Sequence, residues 1–419
     1  MPKLLILFAR GFPYGIHEPF LENEYPLYKD QFDKVLIVTA CRRDQSPSHI
    51  ISDPTIEVLR DYTLSGDLLS ILQALPHMLT DKMFYRELKP LFRKGHFSFS
   101  KLRELLAISL CANHRATLTM RWLRKHKEYQ PTVLYSYWMH ITAYAAVKLK
   151  RKLKTPCHTV SRAHGFDLYL ERHSRQYIPF HRQIYANLDE IAATSHSGKE
   201  YLEERYGMFH KITVHPLGAL DMHCENPAVS RKTLRILTCS RTIPLKRLNR
   251  LVDALSRMPH RAIHWTHIGS GESQASLERM AAEKLPSNIT AEFSGRISNR
   301  RIYETYRSQP FHIIVNLSES EGLPISIMEA MSFGIPVIAT DVGGTAELVD
   351  QGKNGFLLRQ DFQDQELIQL IDEIIEMPEE AYLALRQASR EKFLHQYHAV
   401  NNFTAFIRHI AESANATIE

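Results

Sequence analysis

Phe311-His-Ile-Ile-Val-Asn-Leu-Ser-Glu-Ser-Glu321-Gly-Leu-Pro-Ile-Ser-Ile-Met-Glu329-Ala-Met-Ser-Phe-Gly-Ile-Pro-Val-Ile-Ala-Thr-Asp341-Val-Gly-Gly-Thr-Ala-Glu347 reads as strand, helix and strand in succession. The run from Phe311 to Leu317 is apolar and rich in β-branched residues, as a buried strand requires. Pro324 stands where a helix begins and Gly334 where it stops. Ile335 to Ala339 reads as the following strand. Ligands of open parallel sheets bind beyond the carboxyl ends of the strands. Glu319, Glu321, Asp341, Gly343 and Gly344 are therefore expected on one rim.

The intervening helix, about Ile325 to Phe333, is apolar nearly all round, which predicts burial. Glu329 is its only charge. A buried carboxylate needs a partner. Two adjacent ribose hydroxyls match its two oxygens, and free amide groups near Leu323 to Ser326 offer a place for phosphate. An arginine or backbone amide within the core would satisfy Glu329 equally well.

Other segments stand in a fixed order around this one. They are Ser240-Arg-Thr-Ile-Pro-Leu-Lys-Arg247, His267-Ile-Gly-Ser-Gly271, Phe293-Ser-Gly-Arg-Ile-Ser-Asn299 and the pair Gly343-Gly344 followed by Glu347. Together with the seven residues between Glu321 and Glu329, they resemble retaining glycosyltransferase family four. Each is weak alone; their common order across the second half is specific.

The resemblance implies a GT-B architecture: an α/β chain of two Rossmann-like domains facing each other across a cleft, with a C-terminal helix returning to the first domain. It places Arg241 and Lys246 on the donor diphosphate, Glu321 on donor-sugar hydroxyls or diphosphate, and Glu329 on the ribose. Gly322, Leu323 and Pro324 line the same loop. Arg296 and Ile297 occupy the position that holds the base, largely through backbone. In the first domain, Ser161-Arg-Ala-His-Gly-Phe-Asp-Leu-Tyr169 matches a cleft motif in which His164 faces the donor sugar, and Gly15 lets backbone approach the diphosphate. His164, Glu321, Arg241 and Lys246 are thus the expected catalytic set.

The sequence holds no Asp-x-Asp triplet that would fix a divalent ion on the diphosphate. The implied chemistry needs no metal and no cofactor, only a UDP- or GDP-sugar donor and a glycan or lipid-linked acceptor. The resemblance also implies that the anomeric configuration is retained. The motifs offer no protein nucleophile, and the leaving phosphate can take the acceptor's proton. A nucleotide-sugar epimerase of the same architecture and a non-catalytic nucleotide-sugar-binding subunit are the competing readings. The Glu321–Glu329 spacing argues against the first, and the intact Arg241, Lys246, Glu321 and Glu329 against the second.

A chain of 419 residues, 23% charged and 44% hydrophobic, suits two globular domains. It has no apolar run long enough to span a bilayer. Its five scattered cysteines form no framework or metal spacing, which fits a reducing, cytoplasmic setting. Charge is uneven: residues 1–230 hold 31 Lys and Arg against 23 Asp and Glu, the remainder 21 against 23. Lys82 to Lys127 contains twelve basic residues and two acidic ones, Glu87 and Glu104. Nucleic acid is one reading of such a patch, but no recognition-helix or stacking motif accompanies it. Peripheral contact with an anionic membrane, on its inner face, is another, and a solvated helical face a third.

Alternating strand and helix signals place strands at Lys3–Ala9, Lys34–Ala40, Val133–Ser136, His158–Arg162, Glu190–Thr194 and Leu234–Cys239, with a helix over Glu18–Tyr28. Ser195 or Ser197 can cap a helix. Domains are expected over 1–220 and 233–395, with a linker at 221–232 and a returning helix in 396–419. A helical, basic insertion is expected over about 68–129. Within it, Phe84, Tyr85, Leu88, Leu91 and Phe92 beside Arg86, Lys89, Arg93 and Lys94 could form an amphipathic surface, or the aromatics could pack inward.

Overall fold

Thirteen strands form two separate parallel sheets in the computed structural model, which describes residues 2–15, 18, 20–92, 97–173, 175–207, 209–228 and 230–418. In the first unit the strands are β1 (Lys3–Phe8), β2 (Lys34–Ala40), β3 (Ile56–Asp61), β4 (Gln130–Ser136), β5 (His158–Ala163), β6 (Glu190–Ala193) and β7 (Ile212–Val214). They lie in the order β3-β2-β1-β4-β5-β6-β7. In the second unit β8 (Leu234–Cys239), β9 (Ile263–Ile268), β10 (Ile289–Phe293), β11 (Ile313–Asn316), β12 (Val337–Thr340) and β13 (Gly355–Leu358) lie as β10-β9-β8-β11-β12-β13.

Both orders reverse once, between β1 and β4 and between β8 and β11. Loops diverge at such a switch point and leave a crevice beyond the strand ends. The central strands are buried on both faces, as in Leu4–Phe8, Val35–Val38 and Ile313–Val315. This is why they read as continuous apolar runs rather than alternations. The edge strands β3, β7, β10 and β13 give weak sequence signals. An edge position exposes one side, so β10 reads Ile-Thr-Ala-Glu-Phe.

The division into units falls after His215 and again after Asn402. The stretch expected as a linker is instead bound to the second unit. Asn226 donates to the carbonyls of Tyr306 (2.6 Å) and Gln309 (2.8 Å), and Asp221 pairs with Arg390 at 2.6 Å. These polar residues read as solvated spacer because their partners are remote in sequence.

The last helix runs from Ala399 to Ile418. Its residues from Phe403 onward belong to the first unit. There the buried guanidinium of Arg162 lies 3.9 Å from the centre of the Phe406 ring and donates from Nε to the hydroxyl oxygen of Tyr135 at 2.8 Å. The helix expected over Glu18–Tyr28 is a single α-turn, Leu21–Glu24, continued as a 3₁₀ segment, Tyr25–Asp30. Pro26 removes an amide donor there. Ser195 caps its helix by accepting from Gly198 N–H at 3.0 Å.

Among the described residues the insertion holds three helices, Leu68–Leu79, Lys82–Leu91 and Phe99–Lys125. Phe84 and Leu91 are buried in the first unit's core and Leu88 packs against it, whereas Tyr85 and Phe92 are exposed. The expected amphipathic surface is therefore divided. Arg93 and Lys94, assigned to it from sequence, lie outside the described residues.

Candidate functional site

At the second switch point, the loop after β8 meets the loop after β11. Lys246 Nζ stands 2.5 Å from Glu321 Oε1. The same oxygen accepts from Ser318 Oγ at 2.6 Å and Asn316 Nδ2 at 3.3 Å. Backbone bonds join the surrounding loops: Glu319 N–H to Leu245 O (2.9 Å) and Gly344 N–H to Gly322 O (2.8 Å). Arg247 underpins them, donating to the carbonyls of Leu317 (2.6 Å) and Ser318 (3.2 Å). Arg241 is exposed on the same loop as Lys246.

The helix from this rim is Ile325–Met331, two residues shorter than its apolar pattern, with Gly334 in a left-handed turn behind it. Pro324 precedes it in extended conformation, and Leu323 is buried. Glu329 is buried as well. Its partner is neither arginine nor backbone: Asn299 Nδ2 donates to Oε1 at 2.8 Å. Burial lifts the carboxyl from its ordinary 4.5 to about 7, and the Asn299 bond offsets part of that rise. One amide leaves a carboxylate with spare acceptor capacity.

Arg296 is exposed and Ile297 half-buried on the segment following β10. Gly295, with φ 63°, accepts from Gly269 N–H at 2.9 Å. Gly269 has φ 146°, and a Cβ there would fall 1.7 Å from Ser240 O. Only glycine lets the β8 and β9 loops approach this closely. His267 braces the same corner, with its two ring nitrogens each 2.9 Å from the hydroxyls of Thr238 and Thr242.

The first unit has its own arrangement at the switch point between β1 and β4. The buried carboxylate of Glu18 accepts from the amides of Arg10 (2.8 Å), Gly11 (2.7 Å) and Phe12 (2.8 Å), and from Trp138 Nε1 at 2.9 Å. Gly15 closes the loop onto Gly11, its amide donating to Gly11 O at 2.7 Å. His164 follows β5. Its Nε2 lies 2.9 Å from Tyr137 O, and its backbone amide donates to Asp167 Oδ1 at 2.6 Å. Burial and the nearby Arg162 lower the imidazole to about 3, so the ring is neutral at physiological pH. Burial raises Asp167 to about 7.

The fold thus gathers Arg241, Lys246, Arg296, Ile297, Glu321, Gly322, Leu323, Pro324 and Glu329 around the strand ends of the second unit. It holds Gly15 and His164 at those of the first. The sequence reading places Asn299, Arg247 and His267 within its motif segments and Glu18 at a helix start, but gives none of them a role. Nothing local marks those roles, because each residue acts on a partner far along the chain or within an irregular loop. Among the described residues, Glu190, His215 and His409 form the one grouping with metal-ligand proximity; it lies in the first unit and includes none of the residues gathered at the second unit's strand ends.

Two family descriptions match the chain. "Glycosyl transferase 4-like domain" covers residues 97–218 and "Glycosyl transferases group 1" covers 225–392. Among curated proteins, the O-antigen biosynthesis glycosyltransferase WbnH of Escherichia coli is 29% identical over 179 residues, 42% of this chain and 48% of that protein. The chain spans between 21% and 59% of the length of the curated relatives it matches here. Among solved structures, the apo lipopolysaccharide outer core galactosyltransferase WaaB aligns over 98% of this chain and 99% of its own, with TM-score 0.68 and 17% identity. Anabaena Alr3699/HepE in complex with UDP and glucose aligns over 99% and 100%, with TM-score 0.65 and 17% identity. At these identities the likeness is one of fold.

Proposed function

We propose, from the premise that this chain belongs to the group 1 glycosyltransferases of family-four type, that it is a retaining, metal-independent glycosyltransferase. It moves a hexosyl group from a UDP- or GDP-sugar to a glycan or lipid-linked acceptor in surface-polysaccharide or lipopolysaccharide synthesis. The O-antigen relative and the UDP-bound neighbour support the acceptor class and the donor class respectively. On this reading the protein works on the cytoplasmic side, in peripheral contact with an anionic membrane.

The observation that carries the proposal is the second switch point, where a Lys246–Glu321 pair stands on loops joined by backbone bonds and the buried carboxylate of Glu329 accepts from Asn299 Nδ2. Arg241 and Lys246 supply positive charge where the diphosphate leaves. A charge-assisted hydrogen bond contributes about 1.5–3 kcal/mol, and it acts on rate because the charge grows in the transition state. Glu329 takes ribose hydroxyls on the acceptor capacity that Asn299 leaves. Glu321 holds Lys246 in position and meets the donor sugar.

The acceptor oxygen bonds to the anomeric carbon on the face from which the diphosphate departs. The bond between that carbon and the phosphate oxygen breaks, and the acceptor's proton passes to the leaving phosphate. His164, neutral and tied to Tyr137, positions the donor sugar and does not serve as an acid.

The test is nucleotide release from UDP-, GDP- and ADP-sugars, with and without a bacterial lipid extract. Release from one donor, stimulated by lipid, is expected. Failure of every nucleotide to bind would overturn the reading.

A further inference from the structure

The helix Leu68–Leu79 is packed the wrong way round for a water-facing helix. Its inward positions are small or slender: Ser70, Ala74 and Met78 are buried. Its outward positions are leucines. Leu68, Leu69, Leu72, Leu75 and Leu79 are 69%, 59%, 56%, 37% and 51% exposed. Positions 68, 72, 75 and 79 follow the i, i+4, i+7, i+11 spacing that lines one face of a helix. No Asp, Glu, Lys or Arg occurs in the helix. Solvated helices carry charge on this face, and a contiguous apolar stripe of this kind marks an interaction surface.

The apolar surface extends beyond the helix. Tyr85, 49% exposed, donates its hydroxyl to Leu79 O at 2.9 Å and so ties the next helix to the end of the stripe. Phe92 and Phe97, both exposed, stack on each other with ring centres 5.3 Å apart, and Phe99 is exposed beside them in sequence. The charge between these apolar groups is of one sign. Lys82, Arg86, Lys89 and Arg103 are exposed. The acids are engaged elsewhere: Asp81 is buried against Lys148 (2.8 Å), Glu87 accepts from Tyr177 (3.1 Å) and Gln183 (3.0 Å), and Glu104 pairs with Arg175 (3.1 Å).

From this pattern we infer that the face carrying Leu68, Leu72, Leu75 and Leu79 docks on an anionic lipid bilayer, with the leucines in the acyl boundary and the basic side chains at the headgroups. Leucine beside lysine and arginine is the chemistry of helices that lie in the membrane interface. A second copy of this chain is a poor occupant, because face-to-face association would bring Lys82, Arg86 and Lys89 against their own equivalents. The inference deepens the peripheral-membrane part of the proposed function by assigning the surface. It moves that surface from the basic 82–127 stretch to the uncharged helix before it.

The test uses the full chain and vesicles of phosphatidylcholine with or without about 30% phosphatidylglycerol, read by flotation. Wild type is expected to float with the anionic vesicles. The variant Leu68→Ser/Leu72→Ser/Leu75→Ser/Leu79→Ser, altered only at exposed positions, should bind them about 100-fold less. Lys82→Ala/Arg86→Ala/Lys89→Ala should lose about fivefold per charge, and only on anionic vesicles. Nucleotide binding, measured in parallel, should be unchanged in both variants, which separates failure of docking from failure of the donor-site reading. Equal flotation of wild type and the leucine variant overturns the inference. So does absence of flotation together with a wild-type dimer that the leucine variant abolishes, which would identify a second copy as the occupant.

Discussion

Lys246 Nζ and Glu321 Oε1 stand 2.5 Å apart although 75 residues separate them. The pair spans the point where the second sheet reverses its strand order, so it is both a brace between two loops and a charge store at the candidate site. Both side chains are largely buried. Removing one partner of such a pair strands the other in a poorly solvated place.

Lys246→Ala should therefore lower both turnover, by about 10- to 100-fold, and melting temperature, by several degrees. Glu321→Gln in the same background should recover much of the stability and none of the turnover. A double-mutant cycle by thermal melting should give a coupling of about 1–3 kcal/mol. A cycle that sums to zero would remove the brace.

Arg241 behaves differently because it is exposed. Arg241→Ala should leave the melting temperature within about 1 °C, since surface substitutions rarely exceed about 0.5 kcal/mol, and should depress sugar transfer. Unchanged specific activity would dismiss it from the diphosphate site.

Glu329 makes two opposed predictions. As a ribose acceptor, its loss in Glu329→Ala should weaken nucleotide binding by about 1.5–3 kcal/mol, roughly 10- to 150-fold. Calorimetric titration with UDP and GDP reads this directly. Its carboxyl is raised from 4.5 to about 7 by burial. A raised carboxyl contributes stability that is fully present below about pH 4.5 and lost as pH climbs through 7. Glu329→Gln should accordingly gain stability over wild type above pH 7, with a ceiling of about 3 kcal/mol. In wild type, nucleotide affinity should strengthen as pH rises through 7. A flat profile would mean that the ionised form is not the binder.

The last helix is held to the first sheet by Glu190, which accepts from His409 (2.7 Å), His158 (2.9 Å) and Thr213 (2.5 Å). The bond to Glu190 raises His409, and the same contacts hold Glu190 well below the ordinary carboxylate range. Stability from His409 is present below about pH 6.5 and lost above its raised value, whereas that from Glu190 is lost as pH falls below 4.5. His215 is lowered to about 4 by burial, so it too disfavours the folded state as pH falls from 6.5. Comparing His409→Gln with wild type isolates the first term. The variant should lose the alkaline decline, an effect of a few tenths to about 1 kcal/mol because His409 is partly exposed. Identical pH–melting curves would contradict the lock.

Gly269→Ala tests the corner between β8 and β9. Its Cβ would fall 1.7 Å from Ser240 O at a φ of 146°, so the variant should lose more than about 2 kcal/mol. A melting temperature equal to wild type would place the loops differently.

The central strands with their apolar runs and the rim position of Glu321 follow from local sequence, whereas the edge strands do not. Strand Phe311–Leu317, helix Ile325–Phe333 and strand Ile335–Ala339 differ from the observed elements only at their ends. Hydrophobic period and Pro or Gly punctuation act within a few residues, so the chain displays them directly. The Glu321–Glu329 spacing was legible for the same reason. Tertiary structure alone decided the partners. Glu329 meets Asn299 rather than arginine, Lys246 meets Glu321, and Glu18 gathers three amides of its own loop. It also turned Asp221 and Asn226 from spacer into cement and set five leucines outward on the helix Leu68–Leu79. Burial of that helix could be expected from its composition, but which side faces out depends on what packs beneath it. Pairings across 30 to 169 residues and the choice of buried face are properties of the folded sheet and its loops, and no local pattern encodes them.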